Sequence, residues 1–269
     1  MTLSPIVAKT AEDRNWWFAA RTHALLGIVD REVASRPPLA VVANGAPAML
    51  VLDVGCGAGN MHHHLLRYGQ VRGIDSFFKP LRVAQQRGYL VSQAEGSALA
   101  FPDSSFELVM ALDVIEHCQD DAAVLSECAR VLKPGGLLAI TVPAFPWLWS
   151  DNDTINGHRR RYTPKELAAK LKAARFAVRK LTCNNLSVLP MAAALIFTRR
   201  LRGRKLALSS PSTDEDAYQV EMQSVHPVLN AVLTALGLAE AWVLRHASFP
   251  AGTGLIAVAQ KPAVQGEVR

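Results

Sequence analysis

The sequence predicts an α/β fold: a doubly wound sheet, mostly parallel with an antiparallel last strand, carrying a helical insertion between its last two strands. Three observations lead there. Short apolar runs at Met49 to Asp53, Val71 to Asp75, Tyr89 to Gln93, Phe106 to Leu112 and Gly136 to Val142 alternate with helix-like stretches at 59–68, 78–87 and 119–132. A glycine-rich turn, Gly55-Cys56-Gly57-Ala58-Gly59, follows the first run, where a parallel sheet forms its binding crevice. Two further strands, Phe176 to Cys183 and Leu255 to Gln260, are separated by about seventy residues that a compact sheet does not need.

Residues 12–34 are expected to be helical, with Trp17, Leu25, Leu26, Val29 and Val33 roughly on one face, and Ser35 to Ala48 reads as a linker containing Pro and Gly. Thr163-Pro164-Lys165-Glu166 starts a helix through a capping box, with Pro164 at the first helical position, and that helix runs to Ala174. Within the insertion, Leu186 to Thr198 and Val228 to Leu244 carry apolar helical patterns joined through a polar loop at Ser209 to Asp216. The expected organisation is an N-terminal helix and linker (1–48), a core (49–183 and 254–261) and the insertion (184–253) as lid, dimer contact or membrane contact.

Half of the 269 residues are hydrophobic, enough for a full core, which excludes a disordered chain. The four cysteines at 56, 118, 128 and 183 show no CxxC spacing, so neither a zinc site nor a disulfide framework is expected, and a reducing cytoplasm fits. The N-terminus lacks the basic and apolar regions of a signal peptide and carries Glu12 and Asp13. No uninterrupted apolar stretch reaches the roughly 18–20 residues that span a bilayer. The net charge of +6 is concentrated in Arg159-Arg160-Arg161 and in the run from Arg199 to Lys205.

The glycine spacing narrows the ligand. A dinucleotide-binding turn prefers GxGxxG, but Asn60 stands where its third glycine belongs, which disfavours a nicotinamide cofactor. Asp75 ends the second strand about twenty positions beyond Gly55, where a carboxylate can accept from both hydroxyls of a ribose. Cys56 is read as a small side chain tolerated in the loop. His62, His63 and His64 are adjacent on a helix and should diverge, so no metal is expected there.

Together LDVGCGAGN, Asp75, the segment from Gln93 to Val109, ALDVIEH from Ala111 to His117, and RVLKPGGLLAITVP from Arg130 to Pro143 resemble the ordered motifs of class I S-adenosylmethionine-dependent methyltransferases, a Rossmann-like fold. With RNWWFAAR and the segment from Pro143 to Thr163, they resemble a ubiquinone- and menaquinone-biosynthesis-like subgroup, methyltransferase type 11. The resemblance implies that S-adenosyl-L-methionine is held by Asp53, Gly55, Cys56, Gly57, Gly59, Asp75, Ser76, Glu95, Gly96, Leu112 and Asp113. At Glu95 the family more often has Asp.

Methyl transfer needs an in-line nucleophile and, for some acceptors, a base. His117 and His158, with Glu116, are the candidate catalytic residues because they follow the fourth and fifth strands at the catalytic edge. Trp16, Trp17, Trp147 and Trp149 are expected to wall an apolar acceptor pocket, with Arg160 and Arg161 meeting an anionic group and Tyr162 beside them. The acceptor is expected to be a small or lipid-like molecule. Nucleic acid is disfavoured because Leu112-Asp113-Val114-Ile115 stands where an Asn-Pro-Pro-Tyr-like base-flipping motif would lie. A homodimer, or an anionic membrane with the protein peripheral on its inner face, are the expected partners of the insertion. The rival function is a non-catalytic methyltransferase-fold subunit that binds a partner.

Overall fold

The computed structural model describes residues 11–36, 49–202 and 225–263. Most of the expected linker, the Ser209 to Asp216 loop, Arg204 and Lys205 lie outside the described residues. Seven strands form one sheet: β1 (Met49–Val54), β2 (Gly69–Asp75), β3 (Val91–Gln93), β4 (Phe106–Leu112), β5 (Leu132–Pro143), β6 (Ala177–Asn184) and β7 (Gly254–Gln260), in the order β3-β2-β1-β4-β5-β7-β6. All pairings are parallel except those of β7, which runs antiparallel to both β5 and β6. The order reverses at β1 and β4, so the crevice of a doubly wound sheet opens at their carboxyl ends.

Alternation along the strands sorts the core into two layers. Leu52, Val109, Ala111, Leu138 and Ile140 face one side, where Val124, Leu125 and Cys128 of α5 (Asp121–Val131) and Leu167 and Leu171 of α7 (Pro164–Ala173) cover them. Val51, Leu108, Met110, Leu137 and Ala139 face the other, against Leu25, Ile28 and Val29 of α2 (Trp16–Ala34) and Ala241 and Leu244 of α9 (Pro227–Leu244). Asn15 caps α2 by accepting from the Trp17 amide, and the Thr163–Glu166 capping box starts α7. A short α1 (Ala11–Arg14) precedes that cap.

Three helices differ from expectation. The helix expected at 59–68 shrinks to α3 (His62–Leu65), because the glycine turn continues through Gly59 and a turn at Tyr68 leads into β2. A five-residue α6 (Asp151–Ile155) follows β5 and was not anticipated. The helix expected to end at Thr198 continues as α8 (Leu189–Arg202), and α4 (Phe78–Gln86) completes the set. In α9 the side chains of residues 228, 229, 232, 236, 238 and 242 are exposed and apolar, and the helix is long and apolar enough by composition to cross a membrane.

Candidate active site

At the end of β1 the chain turns through Gly55, Gly57 and Gly59, all at positive φ (71°, 52° and 78°), which side chains other than glycine rarely adopt. The turn is pinned to β2: the Cys56 amide donates to the Ile74 carbonyl at 2.9 Å and the Gly57 amide to Asp75 Oδ2 at 2.9 Å. Asp75 Oδ1 accepts from the Phe77 amide at 2.8 Å, so the carboxylate is fixed in place while lone pairs remain for hydroxyl donors. Cys56 packs inward, where a Cβ on Gly73 would meet its sulfur at 2.7 Å, and burial raises its thiol pKa, as suits a packing residue.

Asp53 lies beneath this turn, with a buried Oδ2 that has no hydrogen-bond partner. Burial, and then the nearby Asp75, push its carboxyl up to about 7. A buried acid without a partner beside a bare backbone cradle fits a ligand carrying a positive charge, as S-adenosylmethionine does. Ser76, Glu95 and Gly96 follow β2 and β3, with Glu95 exposed, and Leu112 ends β4. Asp113 is turned into the left-handed region (φ 54°), where its Oδ1 accepts from Thr141 Oγ1 at 2.9 Å and its Oδ2 pairs with Arg21 of α2. That ion pair closes α2 over the catalytic edge, and Arg21 was missed by sequence reasoning although it stands within RNWWFAAR.

Beyond Asp113 a cavity of about 780 Å3 opens between α2, the β5–α6 segment and α8. Trp16, Trp17, Phe18, Leu148, Trp149, Val188, Leu195 and Ile196 form its apolar wall. Its polar side holds Glu116, His158, Asn184, Asn185 and Thr253. Several of these carry buried polar atoms without partners: both Glu116 oxygens, Asn184 Nδ2 and Oδ1, Asn185 Nδ2 and Thr253 Oγ1. Buried polar groups are ordinarily satisfied, so this side has hydrogen bonds to offer to a ligand or to ordered water. Burial, then Asp113, hold the Glu116 carboxyl well above the ordinary carboxylate range.

His158 is oriented by a charged dyad. Its Nδ1 donates to Asp153 Oδ1 at 2.9 Å, and Arg161 grips the same carboxylate through Nε at 2.7 Å and through an Nη at 3.0 Å. Burial opposes the charge on Asp153, but the bonds from His158 and Arg161 outweigh it and hold the carboxyl at about 2. His117 lies edge-on to His158, ring centres 4.8 Å apart, yet is exposed and outside the cavity lining. Glu116, His117 and His158 also bring potential ligand atoms within 4.8 Å of one another, an arrangement that can accept a cation.

Several expected acceptor contacts are placed elsewhere. Arg161 lines the cavity, but its guanidinium is committed to Asp153 and to the Ala144 carbonyl. Arg160 turns to the carbonyls of Cys118 and Gln119 and to Asp121. Tyr162 is buried, its hydroxyl between Asp121 and the Ile115 carbonyl. Trp147 is exposed and stacks on Phe145 outside the cavity. Arg160 and Tyr162 fasten the loop after α6 to the segment that follows β4, and Arg161 ties it to α6 and to the end of β5, which an irregular loop needs before it can present His158. The expected divergence of neighbouring histidines also fails: His63 and His64 both reach Asp13, at 3.2 and 2.8 Å, because α3 is a single turn under α1.

Comparison with known proteins accords with this geometry. Residues 52–140 match the methyltransferase domain of type 11. A ubiquinone biosynthesis O-methyltransferase of Vibrio cholerae is 37% identical over 103 residues, which cover 35% of this chain and 42% of that protein. One from Thiobacillus denitrificans is 35% identical over 145 residues, covering 48% and 59%. The chain therefore matches about half the length of these relatives. Among solved structures, the YcgJ protein of Bacillus subtilis superposes with a TM-score of 0.52 at 17% identity, over 90% of this chain and 99% of its own. An S-adenosylmethionine-dependent methyltransferase of Thermotoga maritima gives 0.52 at 16%, over 91% and 92%, so both show the shared fold. With the glycine turn, the acid at the end of β2 and the sheet order in place, residues 52–140 of the chain match a methyltransferase domain.

Proposed function

We propose that the protein moves a methyl group from S-adenosylmethionine to a hydroxyl of an apolar acceptor, a small or lipid-like molecule, by direct displacement. The observation that carries this reading is the cavity beyond Asp113, with aromatic and aliphatic walls and a polar side of unsatisfied amides, Glu116 and His158. Such a lining suits a molecule with a polar head and an apolar remainder. The names of the Vibrio and Thiobacillus relatives supply oxygen as the methylated atom.

When bound, S-adenosylmethionine supplies a methyl carbon on a positively charged sulfur, which a nucleophile displaces in line. Asp75 would hold the ribose hydroxyls, and the glycine turn would accommodate the rest of the cofactor close to the backbone. Because Asp153 keeps His158 Nδ1 protonated, Nε2 is the nitrogen that receives the acceptor's hydroxyl proton. Asn184, Asn185 and Glu116 orient the polar head, and the tryptophans exclude water.

The test combines calorimetry with turnover of labelled S-adenosylmethionine on lipid extracts and on water-soluble fractions. Asp75→Ala should weaken cofactor binding by about tenfold or more, from loss of hydrogen bonds to a charged group. His158→Ala should lower turnover by about 10²-fold with cofactor affinity unchanged, and His117→Ala should do far less. A wild-type protein that binds no S-adenosylmethionine would instead be a non-catalytic methyltransferase-fold subunit. Full turnover in His158→Ala would leave positioning as the whole of the catalysis.

A further inference from the structure

The 184–253 insertion carries apolar surface that the protein body does not cover. Along α9, Val228, Leu229, Val232, Leu236 and Trp242 are 49–66% exposed. The charged residue within the helix, Glu240, is turned inward, accepting from the amides of Leu186 and Ser187. On α8, Met191, Phe197 and Leu201 are 59–72% exposed. A contiguous apolar helix face of this kind is uncommon on a protein that meets only water.

Two further observations name what covers it. Met191 and Leu195 of α8 are exposed at the surface and also line the acceptor cavity, so apolar side chains of the insertion stand at its mouth. Positive charge accompanies both helices: the exposed Arg245 and His246 follow α9, and in the sequence α8 runs into Arg199 to Lys205, a stretch with five basic residues and no acid. Apolar area bordered by positive charge is complementary to the interface of a bilayer with anionic headgroups. The alternative of a spanning helix conflicts with the way α9 is seated. Asn230 accepts from the Trp16 amide and donates to the Arg14 carbonyl, both at 3.0 Å, and Gly237 sits directly on Ala20. Lying flat, 18 residues give a strip about 27 Å long.

We propose that the outer surface of the insertion is a bilayer-docking surface: α9 and the outward side chains of α8 lie in the interface of an anionic membrane, and the acceptor passes from the lipid into the cavity beside Met191 and Leu195. This rests on the reading of the acceptor as apolar, and it adds the surface through which that acceptor arrives.

The experiment uses the full chain and vesicles of phosphatidylcholine with and without phosphatidylglycerol. Cosedimentation should require phosphatidylglycerol and weaken as salt rises, since the attraction is screened. Phosphatidylcholine brominated in its acyl chains should quench tryptophan emission, and most of that quenching should vanish in Trp242→Phe. Val232→Glu with Leu236→Glu, both at exposed positions, and separately Arg199, Arg202 and Arg204→Gln, should each weaken binding at least about tenfold while calorimetry shows unchanged S-adenosylmethionine affinity. No binding to anionic vesicles at low salt overturns the proposal, as does binding without quenching of Trp242. A dimer by light scattering that dissociates in the Val232→Glu, Leu236→Glu variant, with no vesicle binding, assigns the surface to a second copy instead. Methyl transfer to a short-chain, water-dispersed acceptor in the same preparation keeps the outcomes apart: if it persists without vesicle binding, the docking surface falls and the proposed activity stands.

Discussion

Asp53 is an acid placed where its charge costs stability. Its ordinary pKa of 3.8 rises to about 7 in the folded chain, through burial first and Asp75 second. The folded protein thus holds a proton that the unfolded chain releases, and the associated stability is present below about pH 4 and lost as the pH climbs to about 7. Asp53→Asn cannot ionise and escapes that loss. Its Tm should exceed that of the wild type at pH 7.5, and the gap should shrink on going down to pH 5, the full linkage being at most about 4 kcal/mol for a shift of roughly three pKa units. The same variant should bind S-adenosylmethionine more weakly, because the negative charge facing a cationic ligand is gone. Equal Tm values across the range would show that Asp53 is already charged without strain. Under the proposed function, stability surrendered at the turn would be recovered as cofactor binding, a common trade at functional sites.

At the scale of elements, the crossing of α2 and α9 depends on one missing side chain. A Cβ on Gly237 would stand 2.3 Å from the Ala20 Cβ, closer than real side-chain contacts allow, and neither group is flexible. Gly is a poor helix former, so in an unobstructed helix any other residue would be stabilising. Here Gly237→Val should instead lower stability, by about 1–3 kcal/mol for an overpacked contact, measurable as a reduced urea midpoint. Because Asn230 of α9 holds the backbone at Arg14 and Trp16, the displaced helix should also loosen the tryptophan wall. The acceptor KM should then rise while S-adenosylmethionine affinity, which the proposed function assigns to the turn after β1 and the end of β2, stays near the wild-type value. A variant as stable as the wild type would mean that α9 is free to shift at no cost.

For the whole molecule, β1 and β4, at the centre of the parallel half of the sheet, were legible because each is a largely apolar run buried along most of its length. Phe106 to Leu112 coincides with β4, and the first two runs miss their strands by no more than two residues at either end. The cofactor turn was legible for a related reason, since glycines at fixed spacing after a strand leave few conformations open. The acceptor side was legible only in composition. Pro143 to Thr163 announced aromatics, arginines and a histidine, but no period governs an irregular loop, so nothing in the sequence could direct His158 inward and Tyr162 into the core. Asp153 was invisible until α6, five residues long, placed it between His158 and Arg161.

The position of β7 bears on how the chain is made. In the sheet β6 is bonded to β7 alone, and β7 leaves the ribosome about seventy residues later, to be inserted between β6 and the already paired β5. During synthesis β6 therefore packs beside α7 without its strand partner while both apolar helices of the insertion emerge, an interval in which unpaired edges and bare apolar faces invite misassociation. A chain stopped after Thr253 should reproduce that interval. In hydrogen exchange, amides of β1 and β4 should remain protected while those of β6 exchange as in an unstructured segment. Protected β6 amides in that fragment would mean that the strand finds another partner first, and that β7 must displace it. A surface suited to lipid would then have a second effect: a nascent chain whose insertion has already reached a membrane has its sticky helices covered before its last strand arrives.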